Sequence, residues 1–312
     1  MTQHSKIDST QVKPASLFER ADALLGGGAL SGRPVPADLP PARKPAAPAP
    51  APQSERPSPI AVSEQGESVA FTGPHLAIDR EKLREEGLII PEEAATALLE
   101  EFRIVKRELL ADARASVTGT ANRVLVSSPH AGEGKTYCAV NLAIALAAER
   151  EIEVVLVDAD MLDPSIPRRL GVESGPGLMD VLSDESIAPE SLVSPTDIGG
   201  LHVLSAGNGS VRDTEYLAGG RIEAVLERLT RGAPNRFLIF DTPPALAASP
   251  AAELAAHVGQ ALLVVRADET AHAALDDARQ LLSACPDIKL LLNAARFSPS
   301  GRRFGDYGHS AR

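Results

Sequence analysis

Between Arg123 and Ala147 the chain reads as strand, glycine loop and helix, and no other stretch restricts its fold as tightly. The run Arg123-Val-Leu-Val-Ser-Ser-Pro-His-Ala-Gly-Glu-Gly-Lys-Thr136 leads into Cys138-Ala-Val-Asn-Leu-Ala-Ile-Ala-Leu-Ala147. Val124–Val126 is a short apolar β run, and Gly132 and Gly134 let the backbone curl closely around an anion. Lys135-Thr136 then opens an apolar helix. Successive backbone N–H groups at such a helix start cradle phosphate, a lysine there reaches the β and γ phosphates, and a threonine hydroxyl ligates Mg²⁺. Pro129 stands where the strict GxxxxGK[ST] pattern has its first glycine.

Two more apolar runs end in carboxylates: Glu153-Val-Val-Leu-Val-Asp158-Ala-Asp160 and Phe237-Leu-Ile-Phe-Asp241-Thr-Pro-Pro244. Continuous apolar strands suit a parallel sheet covered on both faces, and ligands of such sheets bind at the carboxyl ends of the strands. Taken singly, an aspartate at a strand end is usually a turn or cap residue. Three beside a phosphate loop read as Mg²⁺ ligation and general-base chemistry.

Strand candidates at 123–128, 153–158, 201–205, 236–241, 261–266 and 288–293 alternate with helical stretches at 134–149, 214–230 and 270–284. That alternation predicts an α/β fold with a doubly wound, mostly parallel sheet. The rest of the chain is organised around it. Residues 16–25 have helical spacing within a short N-terminal segment, 1–30. A Pro/Ala-rich stretch follows and predicts a disordered linker over 31–77. The main domain is expected at 78–296, with helical periodicity over 78–115. Pro91 sits at a first turn there, and Leu98, Phe102, Val105 and Leu109 share one face. Residues 297–312 read as a flexible tail.

A net charge of -11 makes nucleic acid or an anionic membrane surface a poor main partner. The two cysteines, Cys138 and Cys285, read as buried thiols of a reducing compartment. No secretory h-region follows Met1 and no apolar run approaches bilayer length, so a cytoplasmic location is expected.

With these residues in place, the chain resembles the bacterial tyrosine kinase (BY-kinase) family of P-loop proteins, and is most similar to the tyrosine autokinases of exosortase-linked exopolysaccharide clusters. The family's three nucleotide motifs match Ser127–Thr136, Val155–Asp160 and Asp241-Thr-Pro-Pro244, and its E-x-x-R-x-x-R oligomerisation motif matches Glu100, Arg103 and Lys106. The resemblance implies an ATP-dependent protein-tyrosine autokinase that regulates exopolysaccharide polymerisation or export. It implies ATP contacts along Ala131, Gly132, Glu133, Gly134, Lys135, Thr136 and Tyr137, and catalysis by Lys135, Asp158, Asp160 and Asp241. Asp158 would orient or deprotonate the tyrosine hydroxyl, and Thr136, Asp160 and Asp241 would hold Mg²⁺. Asn293 matches a position that reads the purine edge, although a strand-ending Asn in a turn explains it equally well. The resemblance also implies self-association in a ring, Tyr307 as phosphoacceptor, and recruitment to the inner face of the plasma membrane by a membrane-embedded chain-length regulator.

The chain departs from the family pattern at three places. Leu162 replaces the arginine of D-x-D-x-R, the tail holds the single tyrosine Tyr307, and His130 stands where partition ATPases carry a signature lysine. Two alternatives stand beside the kinase. One is a catalytically weak ATP-binding switch assembling on the membrane regulator, which Leu162 and the sparse tyrosines favour, and the other is a positioning ATPase of the partition type, which His130 argues against.

Overall fold

The computed structural model describes residues 68–93, 96–116, 119–209 and 213–295. The helix expected at 16–25, most of the expected linker and the tail bearing Tyr307 lie outside them. The six anticipated strands form as β1 (Arg123–Ser127), β2 (Glu153–Asp158), β4 (Leu201–Leu204), β5 (Arg236–Asp241), β6 (Gln260–Arg266) and β7 (Ile288–Asn293). A seventh, β3 (Ser194–Pro195), pairs antiparallel with β4 at the sheet edge. It carries no apolar run, and its proline, which cannot donate to a ladder, is tolerated at an edge. The order is β3-β4-β2-β5-β1-β6-β7, every pairing except β3–β4 being parallel.

Alternation along each strand feeds two cores. Val124, Val126, Val154, Leu156, Phe237 and Ile239 face one layer, which holds α1 (Arg80–Glu85), α2 (Ala97–Ala115), α3 (Lys135–Ala147) and α4 (Ile166–Leu170). Leu125, Val155, Val157, Leu238 and Phe240 face the other, with α5 (Leu178–Ser183), α6 (Asp213–Ala218), α7 (Arg221–Thr230), α8 (Pro250–Ala255) and α9 (His272–Leu281). Every residue of α3 from Cys138 to Ala147 is buried, as suits a stretch apolar all round except for Asn141. The α2 stripe of Phe102 and Leu109 closes over it, with Leu98 and Val105 partly buried beside them.

Three sequence expectations are corrected. The helix assigned to begin near Pro91 begins at Ala97, where the Thr96 hydroxyl accepts from Leu99 N at 3.2 Å; Pro91 lies in a turn before it. The helix expected over 214–230 is two helices, broken at Gly219-Gly220, where glycine is the weakest helix former available short of proline. The stretch 68–77, assigned to the linker, packs on the domain. Leu76 bridges to Thr196, and the Phe71 ring meets His202 edge-on with centroids 4.7 Å apart. Backbone bonds from Thr72, Gly73 and Leu76 to 190–195 hold it there together with Phe71.

Strand register positions the site. Asp158 and Asp241 are direct partners across β2 and β5, and Asp241 also pairs with Val126, one residue before the end of β1. Two carboxylates and the loop leaving β1 therefore converge at one edge of the sheet.

Candidate active site

The loop after β1 is shaped by glycine and held from outside. Gly132 and Gly134 have φ of 82° and 96°, a region that costs a side-chain-bearing residue strain. Gly134 is also the N-cap of α3 and offers no side-chain acceptor, so the start of a 13-residue helix has no side-chain cap. Glu133, 5% exposed, turns away: one carboxylate oxygen accepts from His130 N at 2.7 Å and the other from the Thr270 hydroxyl. Asn293 Nδ2 donates to Glu133 O at 2.8 Å, and its amide lies where a side chain on Gly134 would have to go. The Glu133 side chain thus braces the loop and does not line the cavity in front of it. No sequence signal joins Glu133 to Thr270, 137 positions away.

That cavity has a volume of about 340 Å³ and is lined by Ala131, Gly132, Gly134, Lys135, Thr136, Tyr137 and Asp160, with Leu162, Arg168 and Arg169 among the residues facing the loop. A larger groove of about 590 Å³, bounded by Arg114, Glu149, Pro234 and Phe237, holds none of the loop or acidic residues. Tyr137 is fixed by its hydroxyl, which donates to Gly87 O at 3.0 Å.

The three aspartates differ. Asp160 forms an ion pair with Lys135 at 2.7 Å. Asp158 is fully buried and shapes the backbone, accepting from Asp160 N at 3.2 Å, Ser165 N at 3.0 Å and Ile166 N at 3.1 Å. Burial pushes its pKa up to about 6, and those N–H donors hold it from rising further. Asp241 is fully buried with neither oxygen hydrogen-bonded, and desolvation carries its pKa to about 7 despite the Lys135 charge and the Thr136 hydroxyl nearby. A buried carboxylate with no donor is costly unless a cation joins it.

Mg²⁺ with a nucleotide fits this arrangement. Among the described residues no three His, Cys, Asp or Glu side chains gather into a self-sufficient metal cage. Mg²⁺ characteristically takes one or two carboxylates, keeps waters and completes its shell with phosphate oxygens. The orphaned Asp241, with Thr136 5% exposed beside it, offers that partial set.

Of the oligomerisation trio, Glu100 and Arg103 pair with one another on the surface of α2. Lys106 is 6% exposed and bonds inside its own domain, to Ala145 O at 2.9 Å and Glu149 at 2.7 Å. It caps the C-terminal end of α3, where a cation is favoured, so its charge is engaged within its own domain.

Comparison with known proteins gives three kinds of match. A family model described as "ParA: NUBPL iron-transfer P-loop NTPase" matches residues 119–291. A putative tyrosine-protein kinase, EpsB, of Ralstonia nicotianae is 32% identical over 190 residues, covering 60% of this chain and 24% of the relative. The tyrosine-protein kinase YwqD of Bacillus subtilis is 29% identical over 196 residues, covering 62% and 81%. The chain thus spans about a quarter of the length of EpsB. Among solved structures, the VpsO kinase domain is 27% identical with a TM-score of 0.51, covering 67% of this chain and 96% of that one.

Proposed function

The chain belongs to the ParA family of P-loop NTPases, and on that premise we propose that it is an ATP-dependent protein-tyrosine autokinase serving exopolysaccharide polymerisation or export. The observation that carries the nucleotide chemistry is Asp241, a fully buried carboxylate with no internal donor, beside the P-loop Thr136. Support for tyrosine as acceptor comes from the matched relatives, which are named tyrosine-protein kinases.

Bound Mg²⁺·ATP would supply the γ-phosphoryl group and neutralise the charge that develops between its β and γ phosphates. Lys135 then leaves Asp160 for phosphate, while the uncapped N–H groups of α3 hold the β-phosphate. The tyrosine oxygen bonds to the γ-phosphorus as the bridging P–O bond to ADP breaks, and the hydroxyl proton passes to a carboxylate. Asp158 has a raised pKa suited to that base, and Asp160 extends the acid pair to the cavity. Thr136, Asp160 and Asp241 hold the metal in this reading, Asn293 sets the edge of the nucleotide site, and Tyr307 is the acceptor on the tail. Glu100 and Arg103 contribute a protomer contact within a ring. A membrane-embedded chain-length regulator recruits the protein to the inner face of the plasma membrane; no helix among the described residues is long and apolar enough to cross a membrane.

Incubation of the pure protein with labelled ATP and Mg²⁺, with Lys135→Met as control and phosphopeptide mapping as readout, tests the proposal. Phosphotyrosine in wild type alone supports it. Nucleotide binding without phosphotyrosine, with or without the regulator's cytosolic segment, supports the second reading, an ATP-dependent switch. Leu162, 71% exposed at the cavity without a charge to offer, favours that alternative.

A further inference from the structure

Three cationic side chains line the cavity over the loop, and two are already engaged. Lys135 is held by Asp160 at 2.7 Å and Arg169 by Glu86 at 2.6 Å. Arg168 is exposed and, among the described residues, has no hydrogen-bond or ion-pair partner. Its backbone is well fixed all the same. Arg168 lies on α4, whose start donates two N–H groups to Asp158 Oδ2 and whose Ile166 and Leu170 are buried in the core. A free guanidinium thus stands on a short rigid element tied directly to one of the site's aspartates.

The phosphate end of a bound nucleotide requires such a group. Phosphoryl transfer spreads negative charge over the three equatorial oxygens, and Asp158, Asp160 and Asp241 add their own negative potential. Lys135 and the helix start serve the β-phosphate side. Leu162 brings no charge to the cavity, whose lining includes Arg168. The planar fork of an arginine can hold two phosphate oxygens at once, which an ammonium cannot do.

We propose that Arg168 binds the γ-phosphoryl group of ATP and stabilises its transfer, a catalytic role that rests on the nucleotide reading above but not on tyrosine being the acceptor.

Equilibrium binding of Mg²⁺·ADP and of the Mg²⁺ complex of the non-hydrolysable β,γ-imido analogue of ATP, to the full chain, tests this. In Arg168→Ala the triphosphate analogue should bind about tenfold more weakly, the loss of one charge-assisted contact, while ADP affinity stays within about twofold of wild type. Arg168→Lys should recover only part of the loss. An unchanged ratio of analogue to ADP affinity, or an equal loss of both, overturns the assignment. A wild type that binds neither nucleotide overturns this assignment and the nucleotide reading together. Should wild type bind both yet form no phosphotyrosine, the kinase reading falls and a ratio that shifts in Arg168→Ala still upholds Arg168.

Discussion

Arg236 and Asp241 are the first and last residues of one strand, β5, and both are buried, yet their charges are treated in opposite ways. At Arg236 every nitrogen is used. Nε donates to Glu153 at 2.9 Å, Nη1 to Leu229 O at 2.6 Å and Nη2 to Val69 O at 3.0 Å, with the Phe71 ring 4.2 Å from the guanidinium carbon. At Asp241 neither oxygen has a hydrogen bond, and the Lys135 ammonium nearby is committed to Asp160. The chain closes the amino end of the strand and leaves the carboxyl end open. A buried charge that is satisfied internally holds a fold together, whereas one left unsatisfied is held for something that arrives.

The comparison can be broken from either end. At the open end, Lys135→Met should weaken Mg²⁺·ATP binding roughly 100-fold, about 2.7 kcal/mol, while circular dichroism stays that of the wild type. Unchanged affinity by titration calorimetry would remove the loop's role. At the closed end, Arg236→Met should destabilise the fold by roughly 2–4 kcal/mol, because it strands two carbonyls and the Glu153 carboxylate. Urea denaturation reads this directly, and a loss below about 1 kcal/mol would show that the network at Arg236 is no tighter than a surface pair.

Asp241→Asn should act in the other direction, stabilising the nucleotide-free protein at pH 8 by about 1–3 kcal/mol and abolishing the further stabilisation by Mg²⁺·ATP. The sign follows from the raised pKa values. Asp158 and Asp241 hold their protons up to about 6 and about 7 in the fold, well above an exposed aspartate. Their contribution is therefore fully present below roughly pH 4 and is lost as pH rises through 6 and 7. Melting of the nucleotide-free protein should fall across that window, and Asp241→Asn should flatten the upper part. A wild-type profile level from pH 5 to 8 would show that Asp241 is already compensated. The smallest effect belongs to the half-buried Glu100–Arg103 pair. Arg103→Glu should change monomer stability by less than about 1 kcal/mol, while sedimentation in Mg²⁺·ATP shifts toward smaller species. Identical sedimentation would leave α2 as a helix that only covers its own core.

Much of this was legible before any coordinates. The parallel strands are contiguous apolar runs whose period and length are local properties, so β1, β2 and β5 appear at the expected places, each ending where its acid or loop begins. What escaped notice lacks a local signal. The two-residue β3 has no periodicity of its own, and Phe71 gains its meaning only from Arg236 and His202, more than 100 positions away. Lys106 shows what helical spacing leaves out. Its spacing from Glu100 and Arg103 on one helix is correct, yet α3 lies against that side of α2 and takes its charge for a helix end.

Within the site the same division holds. The sequence by itself determined that a glycine loop, a lysine and a threonine meet at a helix start, because that arrangement is local to the backbone. It also determined that three aspartates lie at strand ends. Only the tertiary structure decided what each aspartate does. Asp158 became a cap for α4, Asp160 a partner for Lys135 and Asp241 an unsatisfied carboxylate, because strand order and register set which donors surround each one. Composition and spacing describe a residue's own chemistry, whereas solvation and partnership depend on neighbours that folding brings from elsewhere in the chain.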